Sequence, residues 1–154
     1  MPVDLNSAIG AVLSMMELQL KQEAVHIIRR APETPIWVLG DRVRIEQVLV
    51  NLLRNAIDAT QGVVDPEIEI RLAGGEHATL TVRDNGYGVD DLDALFEPFY
   101  TTKQPGEGVG LGLAISSGIV TDLGGRLLVR NVEDGGALFE MQLPILADHI
   151  AAAE

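Results

Sequence analysis

The chain has 154 residues, 47% of them hydrophobic and 22% charged, with 11 basic residues against 23 acidic and a formal net charge of −12. This length and usage fit one globular domain with a core of its own, and they exclude wholesale disorder. The absence of cysteine excludes disulfides, thiolate nucleophiles and Cys-based metal sites, and the acidic balance counts against a nucleic-acid or membrane-surface partner.

Asn6 or Ser7 is placed to cap a first helix that carries Ile9, Val12, Leu13, Met16 and Leu20 on one face. Val25 to Arg29 and Ile36 to Leu39 read as short strands set apart by Pro32 and Pro35. Asp41 caps a long helix that runs to about Thr60 and closes at Gly62. Glu67 to Leu72 and Thr79 to Arg83 alternate apolar with polar residues, as half-exposed strands do, and Gly74-Gly75 makes a hairpin of them. Residues 84–108 hold glycines and prolines with weak periodicity, a long loop of the kind that is usually functional. Val109 to Leu123 is a helix ended by Gly124-Gly125. A final hairpin joins Arg126–Arg130 to Ala137–Leu143 around Asp134-Gly135-Gly136. The mixed order predicts an α+β, two-layer α/β sandwich, with one sheet covered on one face by helices.

No segment reads as membrane-spanning. The uncharged run from Gly108 to Thr121 has 14 residues, four of them glycine, short of the ~20 a bilayer needs. No basic region precedes the first apolar stretch, so the N-terminus does not read as a secretory signal and a cytoplasmic location is expected. Ile145 to Glu154 reads as an Ala-rich tail or linker stub beyond a domain of residues 1–144.

Four stretches carry chemistry. On the long helix Ile45, Val48, Leu49, Leu52, Ala56 and Ala59 share an apolar face, and Asn51, Asn55 and Asp58 run beside it. An amide oxygen at such a border is a hard, neutral ligand suited to Mg²⁺; a solvated helix edge is the plainer reading. Asp84-Asn85-Gly86-Tyr87-Gly88 follows a strand directly and is either a turn or a carboxylate at a pocket. A carboxylate there accepts the exocyclic amine of adenine, whereas guanine would set oxygen against oxygen. Gly106 to Gly112 runs into a helix and lets backbone N–H groups approach phosphate, or serves as a hinge. Phe96-Glu97-Pro98-Phe99 reads as a set of apolar pegs anchoring the loop between them, and Lys103, the only lysine besides Lys21, is a candidate phosphate ligand.

In order, Asn51 to Ala59, Asp84 to Gly88, Phe96 to Phe99, Gly106 to Gly112 and Gly135 to Phe139 resemble the asparagine, glycine and phenylalanine boxes of one family. That family is the catalytic ATP-binding domain of sensor histidine kinases, within the gyrase, Hsp90, histidine kinase and MutL superfamily. The likeness spans about residues 3–144 and leans toward dicarboxylate- and nitrogen-sensing kinases. It implies the Bergerat ATP-binding fold, a mixed, mostly antiparallel sheet under three helices, with ATP and Mg²⁺ as cofactors. It further implies that Asn55 binds the metal and is catalytic with Lys103, that Asp84 reads adenine, and that Gly88 lets the base approach. Gly108, Gly110 and Gly112 would wrap the phosphates, and residues 89–108 would form a lid. The rest of the implied nucleotide-contacting set is Asn51, Asp58, Ala59, Gly86, Val89, Thr101, Thr102, Val109, Leu111, Leu113 and Ala137. Ala137 stands where the family often has Thr.

Hydrolases of the superfamily usually carry a glutamate base one turn before the metal-binding asparagine; here that residue is Asn51, which takes no proton at neutral pH. Phosphoryl transfer to a partner is therefore favoured over hydrolysis, with an ATP-gated binding module or a superfamily ATPase as the alternatives. The three histidines precede Ile27, Ala78 and Ile150, whereas the family's acceptor histidine is usually followed by an acidic residue. The acceptor is accordingly expected on a separate helical dimerisation domain, with a response regulator further downstream. The chain is expected to be a monomer with no nucleic-acid or membrane contact, at the cytoplasmic end of a membrane-bound sensor.

Overall fold

The computed structural model describes residues 1–89 and 112–146. In chain order these form β1 (Pro2–Asp4), α1 (Leu5–Met15), α2 (Glu17–Gln22), β2 (His26–Arg30), β3 (Trp37–Leu39) and α3 (Arg42–Ala59). They continue with β4 (Glu67–Ala73), β5 (His77–Asp84), α4 (Gly112–Asp122), β6 (Arg126–Asn131) and β7 (Ala137–Pro144).

Alternation in sequence builds the sheet. β4 buries Ile68, Ile70 and Leu72, β5 buries Ala78, Leu80 and Val82, and β7 buries Phe139, Met141 and Leu143. A period of two puts each set on one face. The strands run in the order β2-β4-β5-β7-β6, antiparallel throughout except for the parallel β2–β4 pair. The described helices supply the other half of the core. Leu5, Ile9 and Val12 of α1, Ile45, Val48 and Leu52 of α3, and Ile119 and Val120 of α4 join the sheet residues in a single cluster. Each fully buried Leu or Ile contributes about 1.5–3 kcal/mol. The expected two-layer α+β sandwich is what forms.

Several details differ. Residues Pro2–Asp4 pair with Trp37–Leu39 in a separate two-stranded ribbon, so Ile36–Leu39 does not join the main sheet. The first helix starts at Leu5, because the Asp4 side chain, not that of Asn6 or Ser7, accepts from the Asn6 and Ser7 N–H groups. It breaks at Met16 into α1 and α2, so the described helices number four rather than three. Asp41 caps α3 as its sequence indicates, accepting from Val43 and Arg44. Leu53 and Ile57 are buried along with Ile45, Val48, Leu49, Leu52 and Ala56 of the expected apolar face of α3, while Ala59 is half-buried, because that helix is flanked by α1 and α4 as well as backed by the sheet. The described part of the last helix begins at Gly112, and the expected start at Val109 lies outside the described residues. Among the described residues no helix is long and apolar enough to cross a membrane.

Candidate functional site

The site is built from the open edge of α3 and the turn that follows β5. Asn51, Asn55 and Asp58 are each half-buried, while their neighbours Leu52, Leu53, Ala56 and Ile57 are fully buried. The helical rise spaces Asn51, Asn55 and Ala59 about 6 Å apart along the axis. The helix is fastened at both ends of this stretch. At one end the Asn51 amide Nδ2 donates to the Gly112 carbonyl at 3.2 Å and to the Ser116 hydroxyl at 3.0 Å. This ties α3 to the first turn of α4. At the other end Gly86 packs against the carbonyl of Ala59, where a Cβ would lie 2.1 Å from that oxygen. Only glycine permits so close an approach. Between the two fastenings the Asn55 amide has no hydrogen-bond partner among the described residues.

Asp84 ends β5 with only 2% of its surface exposed, on the core-facing side of the strand. Its Oδ1 accepts from the Gly86 N–H at 2.9 Å and from the Ala137 N–H of β7 at 3.3 Å. Burial pushes the carboxyl above the ordinary aspartate value, and the two backbone donors pull it part of the way back. Oδ2 takes neither bond. The group is thus a fixed acceptor with one oxygen locked to the backbone and the other without a hydrogen bond among the described residues. A ligand's N–H donor would be read there.

The turn after Asp84 is held firmly. The Asn85 side chain accepts from the Glu67 N–H at 2.9 Å and donates to the Asp65 carbonyl at 3.0 Å. Gly88 sits at φ +82, a conformation glycine adopts without strain. The Asn131 side chain then bonds both backbone groups of Val89, at 2.8 Å and 3.1 Å. The structure therefore gives Gly88 a backbone reason of its own, distinct from room for a base. Asn131 was not singled out in the sequence, since nothing local in Arg130-Asn131-Val132 points to a partner 42 residues away.

The structure thus brings Asn51, Asn55, Asp58, Ala59, Asp84, Gly86, Gly112 and Ala137 around one border of α3. Val89 and Leu113 pack at the fringe of the core. The other expected residues, Thr101, Thr102, Lys103, Gly108, Val109, Gly110 and Leu111, lie outside the described residues, as do Phe96, Phe99 and His149. No group of three or more His, Cys, Asp or Glu side chains among the described residues could hold a metal. A metal here would rest on the Asn55 amide oxygen and on its own waters and phosphates, a donor set that suits Mg²⁺. A cleft of about 600 Å³ lined by Val3, Trp37, Asp41 and Arg42 holds none of the expected residues, and it lies about 20 Å along α3 from Asn55. His77 opens β5, about 23 Å from Asp84 at its far end.

The chain is similar to known proteins over most of its length. Residues 40–147 match the family model described as histidine kinase-, DNA gyrase B-, and HSP90-like ATPase. The C4-dicarboxylate transport sensor protein DctB of Pseudomonas aeruginosa is 40% identical over 92% of this chain and 24% of its own length. The sensor histidine kinase ZraS of Salmonella typhimurium is 36% identical over 94% of this chain and 31% of its own. The chain therefore spans only about a quarter to a third of these relatives. Among solved structures, the catalytic domain of histidine kinase ThkA superposes with a TM-score of 0.82 at 30% identity, covering 94% of both chains. ThkA in complex with response regulator protein TrrA gives 0.80 at 28% identity, over 95% of this chain and 42% of that one.

Proposed function

The chain belongs to the histidine kinase-, DNA gyrase B- and HSP90-like ATPase family, as a catalytic domain of the two-component histidine kinase type, and from that premise we propose that it binds Mg-ATP and transfers the γ-phosphate to a histidine on a separate helical domain. The observation that carries this reading is Asp84: a buried carboxylate, locked on one oxygen and unbonded on the other among the described residues, beside an α3 edge where the Asn55 amide has no hydrogen-bond partner among the described residues.

In this reading Asp84 Oδ2 accepts the adenine amine, and Gly86, Gly88, Val89, Asp58, Ala59 and Ala137 wall the base. Asn55 holds Mg²⁺, which when bound neutralises phosphate charge. Gly108, Gly110 and Gly112, with Val109, Leu111 and Leu113, present backbone to the phosphates, while Lys103 with Thr101 and Thr102 meets the γ-phosphate. The chain's contribution is positioning and charge neutralisation, as in other phosphoryl transfers. Asn51 supports transfer over hydrolysis: its amide is engaged with Gly112 and Ser116 and has no basic site for a water proton.

The catalytic unit is residues 1–144, with 145–154 a tail. The acceptor histidine sits on the dimerisation domain of the same kinase, and a response regulator receives the phosphoryl group afterwards, a relation supported by the ThkA–TrrA complex. The domain itself is monomeric and lies at the cytoplasmic end of a membrane-bound sensor, and it contacts neither nucleic acid nor membrane, partners that its net charge of −12 disfavours. Labelled ATP incubated with this chain and a relative's two-helix dimerisation domain tests it. Acid-labile label should appear on the helical domain and hardly on this chain. Release of inorganic phosphate without transfer would point to an ATPase instead.

A further inference from the structure

The hairpin of β6 and β7 grips the Asp84 turn at both of its ends. Asn131 and Ala137 are direct partners in the β6–β7 register. From that one pair, the Ala137 N–H donates to Asp84 Oδ1, and the Asn131 side chain accepts from the Val89 N–H and donates to the Val89 carbonyl. The six residues from Asp84 to Val89 are thus closed into a ring by two strands more than 40 residues further on. We infer that Asn131 is a positioning residue for the base end of the nucleotide site, acting through Gly88 and Val89 on the wall beside Asp84.

Three observations separate this role from ordinary stabilisation. Asn131 is exposed, so its removal opens no core cavity. The hairpin does not depend on that side chain: Val132 N–H donates to the Gly136 carbonyl at 2.9 Å, and Gly135 N–H to the Val132 carbonyl at 2.9 Å. Both side-chain bonds of Asn131 go instead to Val89. Gly88, at φ +82, is the softest link in the ring, because glycine has the most conformations to lose. A clamp just beyond it removes that freedom before a ligand arrives, and pre-ordering of this kind raises affinity without touching the ligand. The fit of side chain to backbone is close: a Cβ on Gly88 would lie 2.8 Å from Asn131 Oδ1. The Asp84 carboxylate takes its two backbone bonds from Gly86 and Ala137, and none from Asn131.

This inference rests on the adenine reading of Asp84, and the test separates the two. ADP, and separately adenosine, are titrated calorimetrically in magnesium-free buffer at a temperature well below melting, against wild type, Asn131→Ala, Asn131→Asp and Asp84→Asn. Asn131→Ala should weaken both ligands by about tenfold, by an equal factor because the loss is at the base. Asn131→Asp should fall between it and wild type, since a carboxylate still accepts from the Val89 N–H but cannot donate to the Val89 carbonyl. In wild type the Val89 amide should exchange with solvent more slowly than in Asn131→Ala, which has no acceptor for it. If Asn131→Ala melts lower yet binds both ligands as wild type does while Asp84→Asn has lost them, Asn131 is merely structural and the inference fails alone. If Asp84→Asn binds like wild type, the adenine reading fails and this inference with it.

Discussion

Replacing Asp84 by Asn separates the two demands on that residue, because they pull in opposite directions. For folding, the ionised carboxylate is a cost. Its pKa in the folded chain is raised by burial, so the folded state binds the proton more tightly than the unfolded chain does. The stabilising contribution of the neutral acid is fully present below the unfolded value near 3.8 and is lost as pH rises through the folded value. At neutral pH the Asn variant, isosteric and still able to accept from Gly86 and Ala137 with Oδ1, should melt no lower than wild type. It should also lack the acid-side rise in stability. For binding, the same change is severe. It removes a charged acceptor, worth about 1.5–3 kcal/mol, and turns an NH₂ group toward the purine amine in place of Oδ2. A loss of about 3 kcal/mol is roughly a 100-fold weakening. Thermal melts from about pH 3.5 to pH 8, with calorimetric titration of Mg-ATP, read both. Wild-type affinity in the variant, or a clearly lower melting point at pH 7, would refute this account of Asp84.

Gly86→Ala should cost about 1–3 kcal/mol, since the new Cβ would meet the backbone carbonyl of Ala59 at 2.1 Å; an unshifted urea midpoint would contradict the close approach. Asp41→Ala removes the acceptor for the Val43 and Arg44 N–H groups and should lower stability by about 1 kcal/mol. Nucleotide affinity measured below the melt should not change, because the cap lies about 20 Å along the helix from Asn55. Asn55→Ala should abolish the gain in ATP affinity on adding magnesium while sparing magnesium-free ADP binding; titrations with and without a chelator show whether the metal rests on that amide.

What the sequence discloses here is whatever is local and periodic. The helix from Asp41, the Gly74-Gly75 hairpin and the last two strands are each written in spacings of two, three or four residues, and they form as read. The Asn51, Asn55 and Asp58 stripe at the edge of α3's buried surface is equally local, and it is half-buried as its spacing implies. The ribbon of β1 and β3 is not legible, because each strand has three residues, too few to show alternation, and their pairing spans most of the first 40 residues. Asp4 displaces Asn6 and Ser7 as the cap because β1 ends on it, and only the structure shows where β1 ends. Long-range side-chain bonds are the least visible. Asn51 reaches Gly112 across 61 residues and Asn131 reaches Val89 across 42, and an asparagine announces neither partner nor direction. Asp84 stood out only because the residues after it suit a turn and the boxes around it keep their order.

The central claim is that one site reads the purine at Asp84 and the metal at Asn55. A crystal structure of the chain with a non-hydrolysable ATP analogue and magnesium tests it most directly. The account predicts Asp84 Oδ2 within about 3 Å of the adenine amine and the Asn55 side-chain oxygen about 2.1 Å from the ion. A nucleotide bound with its base away from Asp84, or a magnesium ion held without Asn55, would contradict it.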